Sequence, residues 1–330
     1  MNVNTYRRSI SVWTTALLAA TAILVPAGVV HASETDVVNA NEISDAVADA
    51  APVANVQQPD ANTHTGDLVY TAGEIDITVP TAPDQGLVVD TPGPMEALEL
   101  GLPNNEAHGE LTLADDGTAV YVDSDGLADI AVQVLDDGLR VSTILHSAES
   151  PEEYVYDLPE GTTAELLNDG SLLVISGEDL AGAVAPPWAK DSNGASVPTR
   201  YEVTAEGFVQ IVEHHGAGFE YPIVADPSYS YCALGGWYPA MCVKYNRSEV
   251  AFMASIVAGG AGAGAVGAHL CTRAPHLAIR AACIAAVATL TWANLKAITD
   301  AQSQRRCLSF AFTYPPVAQL LSGGLRVVRC

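Results

Sequence analysis

The feature that most constrains this chain is the position of its cysteines, because all six lie after Tyr231. An even number of cysteines in one stretch is typical of a small disulfide-bonded unit in an oxidising compartment. No CxxC pair or histidine at zinc-finger spacing accompanies them, so a metal site is disfavoured. Six cysteines allow 15 connectivities. We prefer Cys271–Cys283 as the central bridge, which leaves Cys307–Cys330 to close the last segment and Cys232–Cys242 to close the aromatic loop between them; the candidates are Cys232, Cys242, Cys271, Cys283, Cys307 and Cys330.

The first 32 residues have the pattern of an export signal. Arg7 and Arg8 precede an apolar run from Val12 to Val30, and Val30-His31-Ala32 is a small–x–small cleavage site. This pattern predicts a signal peptide over 1–32, cleaved after Ala32, and a secreted or cell-surface protein. The alternative is an uncleaved membrane anchor, which Pro26 and the polar sequence that follows disfavour. Residues 33–65 hold few large apolar side chains and are predicted to be a disordered acidic linker.

Charge is divided unevenly along the chain. Residues 33–231 contain 37 acidic side chains against Arg140, Lys190 and Arg200, whereas residues 232–330 contain nine basic side chains against Glu249 and Asp300. A surface as acidic as that of the first part repels nucleic acid and anionic membranes. We therefore expect no nucleic-acid partner, and an envelope or secreted partner or a membrane contact through the cationic tail.

Residues 66–227 have the pattern of an antiparallel β-rich domain. Short β-branched runs flank acid–Gly or Asn–Gly turns, which supply the positive φ that tight hairpins require. Residues 86–105 are rich in proline and glycine and are predicted to be a long loop. The hairpins predict an antiparallel sandwich or meander, and hence an α+β chain of two units whose second unit is small, helical and disulfide-bonded; their turns are Asp115-Asp116-Gly117, Asp136-Asp137-Gly138, Asn168-Asp169-Gly170 and Glu206-Gly207.

Residues 228–330 are predicted to form the helical unit, with helices near 247–270 and 275–303. Asn246 and Glu249 form a capping pair, and Pro275 suits a first helical turn. In a tight hairpin Cys283 would lie about 12 Å along the second helix, at ~1.5 Å per residue, so a bridge to Cys271 requires an open corner. A glycine-rich face spaced three or four residues apart is predicted to pack on a partner helix; it comprises Met253, Ile256, Gly260, Gly264 and Gly267.

Residues 262–267 match GxGxxG, but the glycines lie within the first predicted helix rather than between a strand and a helix. A dinucleotide site is therefore rejected, and no cofactor is expected. Residues 251–268 carry no charge and only just reach the length of a membrane span. A soluble helix pair is preferred to membrane insertion.

Two polar clusters were weighed as sites. Asp123, Asp125 and Asp129 surround a glycine turn and resemble a fragment of a calcium loop without its closing glutamate. His214 and His215 form the histidine pair, for which a solvated strand end is preferred to metal binding or acid–base work. No GxSxG or other catalytic constellation appears, so an enzyme is not expected, although a hydrolase assembled from distant carboxylates stays an alternative.

Three motifs close the β-rich region: PPWAKD at 186–191, VPTRYEV at 197–203 and YPIVADP at 221–227. In these motifs, and in the tail that follows, the chain resembles uncharacterised exported proteins of high-GC Gram-positive bacteria. Those proteins carry a "PWA-D-x-G … VPTxYEV … YPVxADP" β-module before a Cys-rich, Ala/Gly-rich helical tail. The resemblance spans residues 185–330 and implies export and this domain order, but it brings no activity.

Two functions follow from these patterns. The preferred one is an exported, non-enzymatic binding or structural protein with an unknown ligand. The alternative is a precursor whose acidic β-domain holds a cationic, glycine-rich helical tail with membrane-active or antibacterial, bacteriocin-like activity.

Overall fold

The structure is a computed structural model, and it describes the chain in segments. The predicted signal peptide and its cleavage site lie outside these segments, as does Cys232. The described residues are 34–51, 54–60, 66–72, 75–90, 97–103, 107–136, 138–177, 179–216, 218–230, 233–234, 238–239, 241–260, 263–272, 277–288, 290, 292–312, 324–328 and 330.

The N-terminal half begins with one helix and continues as strands. These elements are α1 (Glu34–Ala50), β1 (Leu68–Ala72), β2 (Ile75–Val79), a 3-10 turn (Pro83–Gln85), β3 (Leu87–Asp90), β4 (Leu98–Leu100), β5 (Thr112–Leu113), β6 (Ala119–Tyr121), β7 (Ala128–Leu135), β8 (Gly138–Leu145) and β9 (Glu153–Asp157). Strands β1 to β4 pair in chain order as an antiparallel sheet. The predicted long loop over 86–105 was wrong, because β3 and β4 lie within it.

The β-rich region continues to residue 230. Its further strands are β10 (Thr162–Leu166), β11 (Leu172–Ser176), β12 (Asp179–Val184), β13 (Ala189–Lys190), β14 (Thr199–Val203), β15 (Gly207–Val212), β16 (Ile223–Ala225) and β17 (Ser228–Ser230). The large sheet runs β10-β11-β12-β17-β8-β7-β6-β5, with β16 on β8 and β13 on β16, and a smaller sheet runs β14-β15-β9. Because β17 pairs with both β8 and β12, the β-unit extends beyond the predicted boundary at 227.

The four predicted hairpins are present. Strands β5 and β6, β7 and β8, β10 and β11, and β14 and β15 each pair antiparallel across the expected turn. At the turn between β14 and β15 a side chain is excluded, since a Cβ on Gly207 would lie 2.1 Å from the carbonyl oxygen of Tyr156. The α+β fold class, with a large sandwich-like antiparallel region before a small disulfide-bonded helical region, is confirmed.

Alternate side chains of the large sheet enter different cores. Along β7 and β8, Ile130, Val132 and Val141 pack in the main sandwich core. Residues of the β1–β4 sheet and of the β14-β15-β9 sheet pack in the same core. The opposite face buries Ala131 and Ile144 against α1. Both faces are therefore covered, which explains why β8 is buried along its whole length.

The predicted disordered linker over 33–65 differs from the structure, because α1 lies within it. Its residues Ala40, Ile43, Val47 and Ala50 are buried and spaced three or four apart, which puts them on one helix face. Ser44 on α1 donates a hydrogen bond to the Thr118 hydroxyl at 3.1 Å. The prediction was based on the low content of large apolar residues. Small side chains are sufficient, however, for a helix that packs close to a sheet.

The C-terminal region combines strands and helices. Its elements are β18 (Ala233–Leu234), β19 (Tyr238–Pro239), β20 (Met241–Tyr245), α2 (Arg247–Ala258), α3 (Ala263–Leu270), α4 (Leu277–Val287), α5 (Trp292–Ser303), β21 (Cys307–Phe312) and β22 (Gly324–Val328). The predicted capping box of Asn246 and Glu249 is present at the start of α2. The sheet β20-β21-β22 was not predicted.

Each of the two long helices predicted for the tail is broken. The first ends at Ala258, and Gly260 then takes a φ of +76°, a left-handed value that interrupts a right-handed helix. The second ends at Val287 and resumes at Trp292, and Leu290 within the break and Leu295 after it are buried in the same core. No helix in the described part of the chain combines the length and apolar character needed to cross a membrane.

The core of the tail also includes side chains of the large sheet. Leu173 and Leu180, on the outward face of β11 and β12, are buried together with Met253, Ile298 and Phe310 of the tail. The large sheet therefore has α1 on one part of its outer face and the helical region on another.

Candidate functional site

A cavity of about 120 Å³ lies at the end of the β7–β8 hairpin farthest from its turn. Apolar walls come from Leu127, Ile130 and Pro151, among other residues. Polar residues come from four separate parts of the chain, namely His108, the loop carrying Asp123 and Asp125, Thr143 on β8 and Tyr154 on β9. This combination of apolar walls and a few convergent polar groups is typical of a small-molecule site.

The imidazole of His108 is one of the polar groups that line this cavity. Its Nε2 lies 2.8 Å from the carbonyl oxygen of Ala128, and because a carbonyl oxygen only accepts, Nε2 donates to it. The other nitrogen, Nδ1, is an acceptor in the neutral form of the ring; it is buried and has no hydrogen-bond partner within the described segments. A backbone bridge between His108 and Asp123 places the imidazole beside the aspartate loop.

The hydroxyl of Tyr154 is a second buried group without a partner among the described residues. Tyr154 lies on β9, is fully buried and lines the cavity. Burial raises the pKa of its phenol, and the neighbouring Tyr156, Tyr221 and Asp123 raise it further. The neutral hydroxyl can donate one hydrogen bond and accept others.

The carboxylate of Asp123 organises the loop at the cavity wall. It accepts hydrogen bonds from the backbone amides of Asp125, Leu127 and Ala128 at 3.0, 2.9 and 3.1 Å. Burial raises the pKa of Asp123, but these hydrogen bonds and the charge of His108 together bring it below its ordinary value. Asp123 is therefore ionised at neutral pH.

The calcium-loop fragment considered at Asp123, Asp125 and Asp129 is not arranged as a metal site among the described residues. Asp129 turns away, accepting the amide of Asp123 at 2.9 Å and contacting His146 Nε2 at 2.7 Å. The described residues contain no group of three or more acidic, histidine or cysteine side chains placed to hold a metal ion. Asp123 and Asp129 instead accept hydrogen bonds from backbone amides of the turn.

His146 and Asp129 form a charged pair beside the cavity. The hydrogen bond from His146 to Asp129 raises the pKa of the imidazole; burial lowers it, and the charges of Asp129 and Asp123 add to the increase. The side chain of His146 is 35% exposed, whereas that of Asp129 is 5% exposed. The pair holds the end of β8 against the start of β7.

His214 and His215 support the loop that contains Pro151. His214 is buried, with Nδ1 2.8 Å from the Tyr221 hydroxyl and Nε2 3.3 Å from the carbonyl oxygen of Pro151. His215 Nε2 lies 3.2 Å from the carbonyl oxygen of Ser150. The solvated strand end that we preferred for this pair was wrong for His214, whose pKa is lowered chiefly by burial.

The predicted glycine face of the tail is only partly a packing face. Met253 is fully buried and Ile256 is partly buried, whereas Gly264 is exposed with no neighbour within 4 Å of an added Cβ. Gly260 has open space around it and lies after the end of α2. Gly267 alone of these glycines meets a helix, since a Cβ there would lie 2.0 Å from Val287 Cγ1 on α4.

Two disulfides lie within the described residues. Cys271 and Cys283 are joined with Cα atoms 5.7 Å apart, and Cys307 is joined to Cys330. The bridge between Cys271 and Cys283 links the end of α3 to the middle of α4, as an open corner requires. The predicted bridge between Cys232 and Cys242 involves Cys232 and so lies outside the described residues.

Sequence reasoning found the aspartate loop but missed the site beside it. His108 and Tyr154 are far apart in the chain, and neither belongs to a motif. They line one cavity because a backbone bridge places His108 against the loop and because Tyr154, on β9, packs in the same core as the β7–β8 hairpin. The pairing of Asp129 with His146 was also missed, although their positions on two strands of a predicted hairpin gave a signal that the two side chains lie close together.

No protein-family model matches this chain, and no curated protein matches it. Among solved structures it is similar to a glycoside hydrolase family 81 protein from Clostridium thermocellum, with 10% identity and a TM-score of 0.32. That similarity covers 59% of this chain and 29% of the other. We draw no functional argument from a similarity at this level.

Proposed function

We propose that this protein is an exported, non-enzymatic binding protein whose β-rich region takes a small polar ligand in the cavity beside Asp123. The observation that carries the proposal is that two residues lining this cavity, His108 and Tyr154, each have a buried polar atom, Nδ1 and the hydroxyl, without a partner among the described residues. Leaving a buried polar group unpaired costs about 1–3 kcal/mol, so a ligand that pairs with both gains that energy on binding.

Export is part of the proposal. The two disulfides are consistent with an extracellular protein, since such bridges persist in oxidising compartments. Cleavage of the signal peptide after Ala32 would place α1 directly at the new N-terminus. The helical tail then has a structural role, because Leu173 and Leu180 of the sheet are buried in its core.

The test is a thermal-shift screen of the full exported chain against small polar metabolites, followed by calorimetry on each hit. Tyr154→Phe removes the hydroxyl of a residue that lines the cavity and is expected to weaken binding at least tenfold. Tyr201→Phe is the matched control, since Tyr201 is also a buried tyrosine whose hydroxyl has no partner among the described residues, but it does not line this cavity. Ligands that bind equally well to both variants would place the site elsewhere.

A second candidate function, the precursor with an active tail, is favoured by one contact. The acidic β-unit covers apolar side chains of the cationic tail through Leu167, Leu173 and Leu180. Release of the tail would uncover a face that includes Met253 and Ile298. The proposal predicts that mass spectrometry of the unreduced secreted protein finds a cut near 227–231, and that the cut chain, unlike the intact one, releases dye from anionic vesicles. An uncut secreted chain would contradict this function.

A further inference from the structure

We infer that the ligand of this cavity is a small organic cation, bound through a primary ammonium group between His108, Asp123 and Tyr154. This inference rests on the proposed binding function and adds the chemical class of the ligand. It follows from three properties of the cavity, which are the kind of hydrogen-bonding atoms, the charge and the size.

The cavity offers mainly acceptors. His108 Nδ1 accepts when the ring is neutral, because Nε2 already donates to the carbonyl oxygen of Ala128. Asp123 is an acceptor, and the Tyr154 oxygen accepts as well as donates. A primary ammonium has three donors and no acceptor, so it complements this set. A carboxylate or phosphate would place acceptors against acceptors.

The charge of the walls also favours a cation. Asp123 is ionised, and Asp125 adds a second carboxylate at the same wall. The described residues that line the cavity include no lysine or arginine, and the one basic side chain among them, His108, is uncharged in the neutral form that accepts a hydrogen bond. The surrounding region, residues 33–231, has 37 acidic and three basic side chains, which attracts a cation toward the site.

The size limits the ligand to a few atoms. A cavity of about 120 Å³ is somewhat smaller than the ~150 Å³ cavity that holds benzene. A ligand of roughly four to six non-hydrogen atoms therefore fits. The apolar walls at Leu127, Ile130 and Pro151 would contact a short alkyl group while the ammonium faces the acceptors.

The experiment compares three probes of nearly equal shape on the full chain by isothermal titration calorimetry and ligand-observed NMR. The probes are isobutylammonium, isobutanol and isobutyrate. We expect saturable binding of isobutylammonium, with at least tenfold weaker binding of the other two. Tyr154→Phe and Asp123→Asn should each weaken ammonium binding about tenfold, whereas Tyr201→Phe should leave it unchanged.

The other outcomes refute the ammonium class of the ligand, and they differ in what they imply for the site. Binding of isobutanol or isobutyrate that is at least as tight, and is lost in Tyr154→Phe, refutes the ammonium class but supports the site. Absence of binding by all three probes refutes the ammonium inference, whereas the screen of other polar metabolites separately tests the site. If Asp123→Asn does not fold, because its carboxylate caps the loop, Tyr154→Phe still decides the result.

Discussion

The ammonium of Lys190 donates a hydrogen bond to the carbonyl oxygen of Ala50, at a distance of 2.6 Å. Ala50 is the last residue of α1, and Lys190 lies on β13 of the β-rich region. A positive charge at the carboxyl end of a helix is stabilising, because the unpaired carbonyl groups there carry partial negative charge. The contact therefore fixes the end of α1 to the sheet.

Replacing Lys190 by methionine is expected to loosen α1. The variant keeps most of the side-chain volume and loses the hydrogen bond and the charge, at a cost of about 1–2 kcal/mol. Hydrogen exchange of the α1 amides should accelerate about tenfold. Lys296→Met is the control, since Lys296 pairs with Asp300 on an exposed helix surface and its loss is expected to cost about 0.3–0.5 kcal/mol. Unchanged exchange in Lys190→Met would show that the contact does not hold the helix.

The close approach of α3 to α4 makes Gly267 sensitive to any side chain. A Cβ there would lie 2.0 Å from Val287 Cγ1, so Gly267→Ala forces the helices apart and should destabilise by about 1–3 kcal/mol. Gly264→Ala, one turn earlier in the same helix, has open space and should stabilise by about 0.5–1 kcal/mol through helix propensity. Urea denaturation of both variants measures whether the two changes in stability have opposite signs. Equal changes would contradict the close packing of α3 on α4 at Gly267.

The bridge between Cys271 and Cys283 is expected to stabilise the helical region mainly by restricting the unfolded chain. For its sequence separation of 12, the loop-entropy relation gives about 3 kcal/mol. In the double variant with alanine at both positions, the free energy of unfolding measured by thermal denaturation should fall by that amount. It should also increase hydrogen exchange in α3 and α4 more than in β7 and β8. A uniform increase in both regions would indicate that the tail and the sheet unfold as one unit.

The pair of His146 and Asp129 predicts a pH dependence of stability. The folded-state pKa of His146 is raised above the ordinary 6.5, chiefly by its hydrogen bond to Asp129. The pair therefore contributes fully to stability below pH 6.5, and this contribution is lost as pH rises through the raised folded value. Urea midpoints of wild type and His146→Gln should differ most near pH 5.5 and converge at pH 8.5.

A difference in midpoint between these two proteins that stays constant from pH 5.5 to 8.5 would contradict this assignment. Asp129→Asn provides the second arm, because the amide oxygen can still accept the backbone amide of Asp123 while the charge is gone. When Asp129→Asn is combined with His146→Gln, the double variant should lose little more stability at low pH than either single variant, since the two residues act as a pair.

Local patterns predicted the hairpins well because the cause of each turn is local. Gly117 and Gly170 take positive φ values, in turns that the preceding Asp and Asn residues predict. The capping box at Asn246 was predictable for the same reason. The break at Gly260 was not, because a glycine within an apolar run is compatible both with a helix and with its end.

The sequence by itself determined the order of a β-rich region and a cysteine-bearing helical region, since periodicity, turn residues and cysteine positions act over short distances. The tertiary structure alone decided which part of the outer face of the large sheet packs on α1, which part packs on the helical tail, and that His108 and Tyr154 line one cavity with Asp123. Those contacts join residues far apart in the chain. They depend on how the sheets pack, which no single segment encodes.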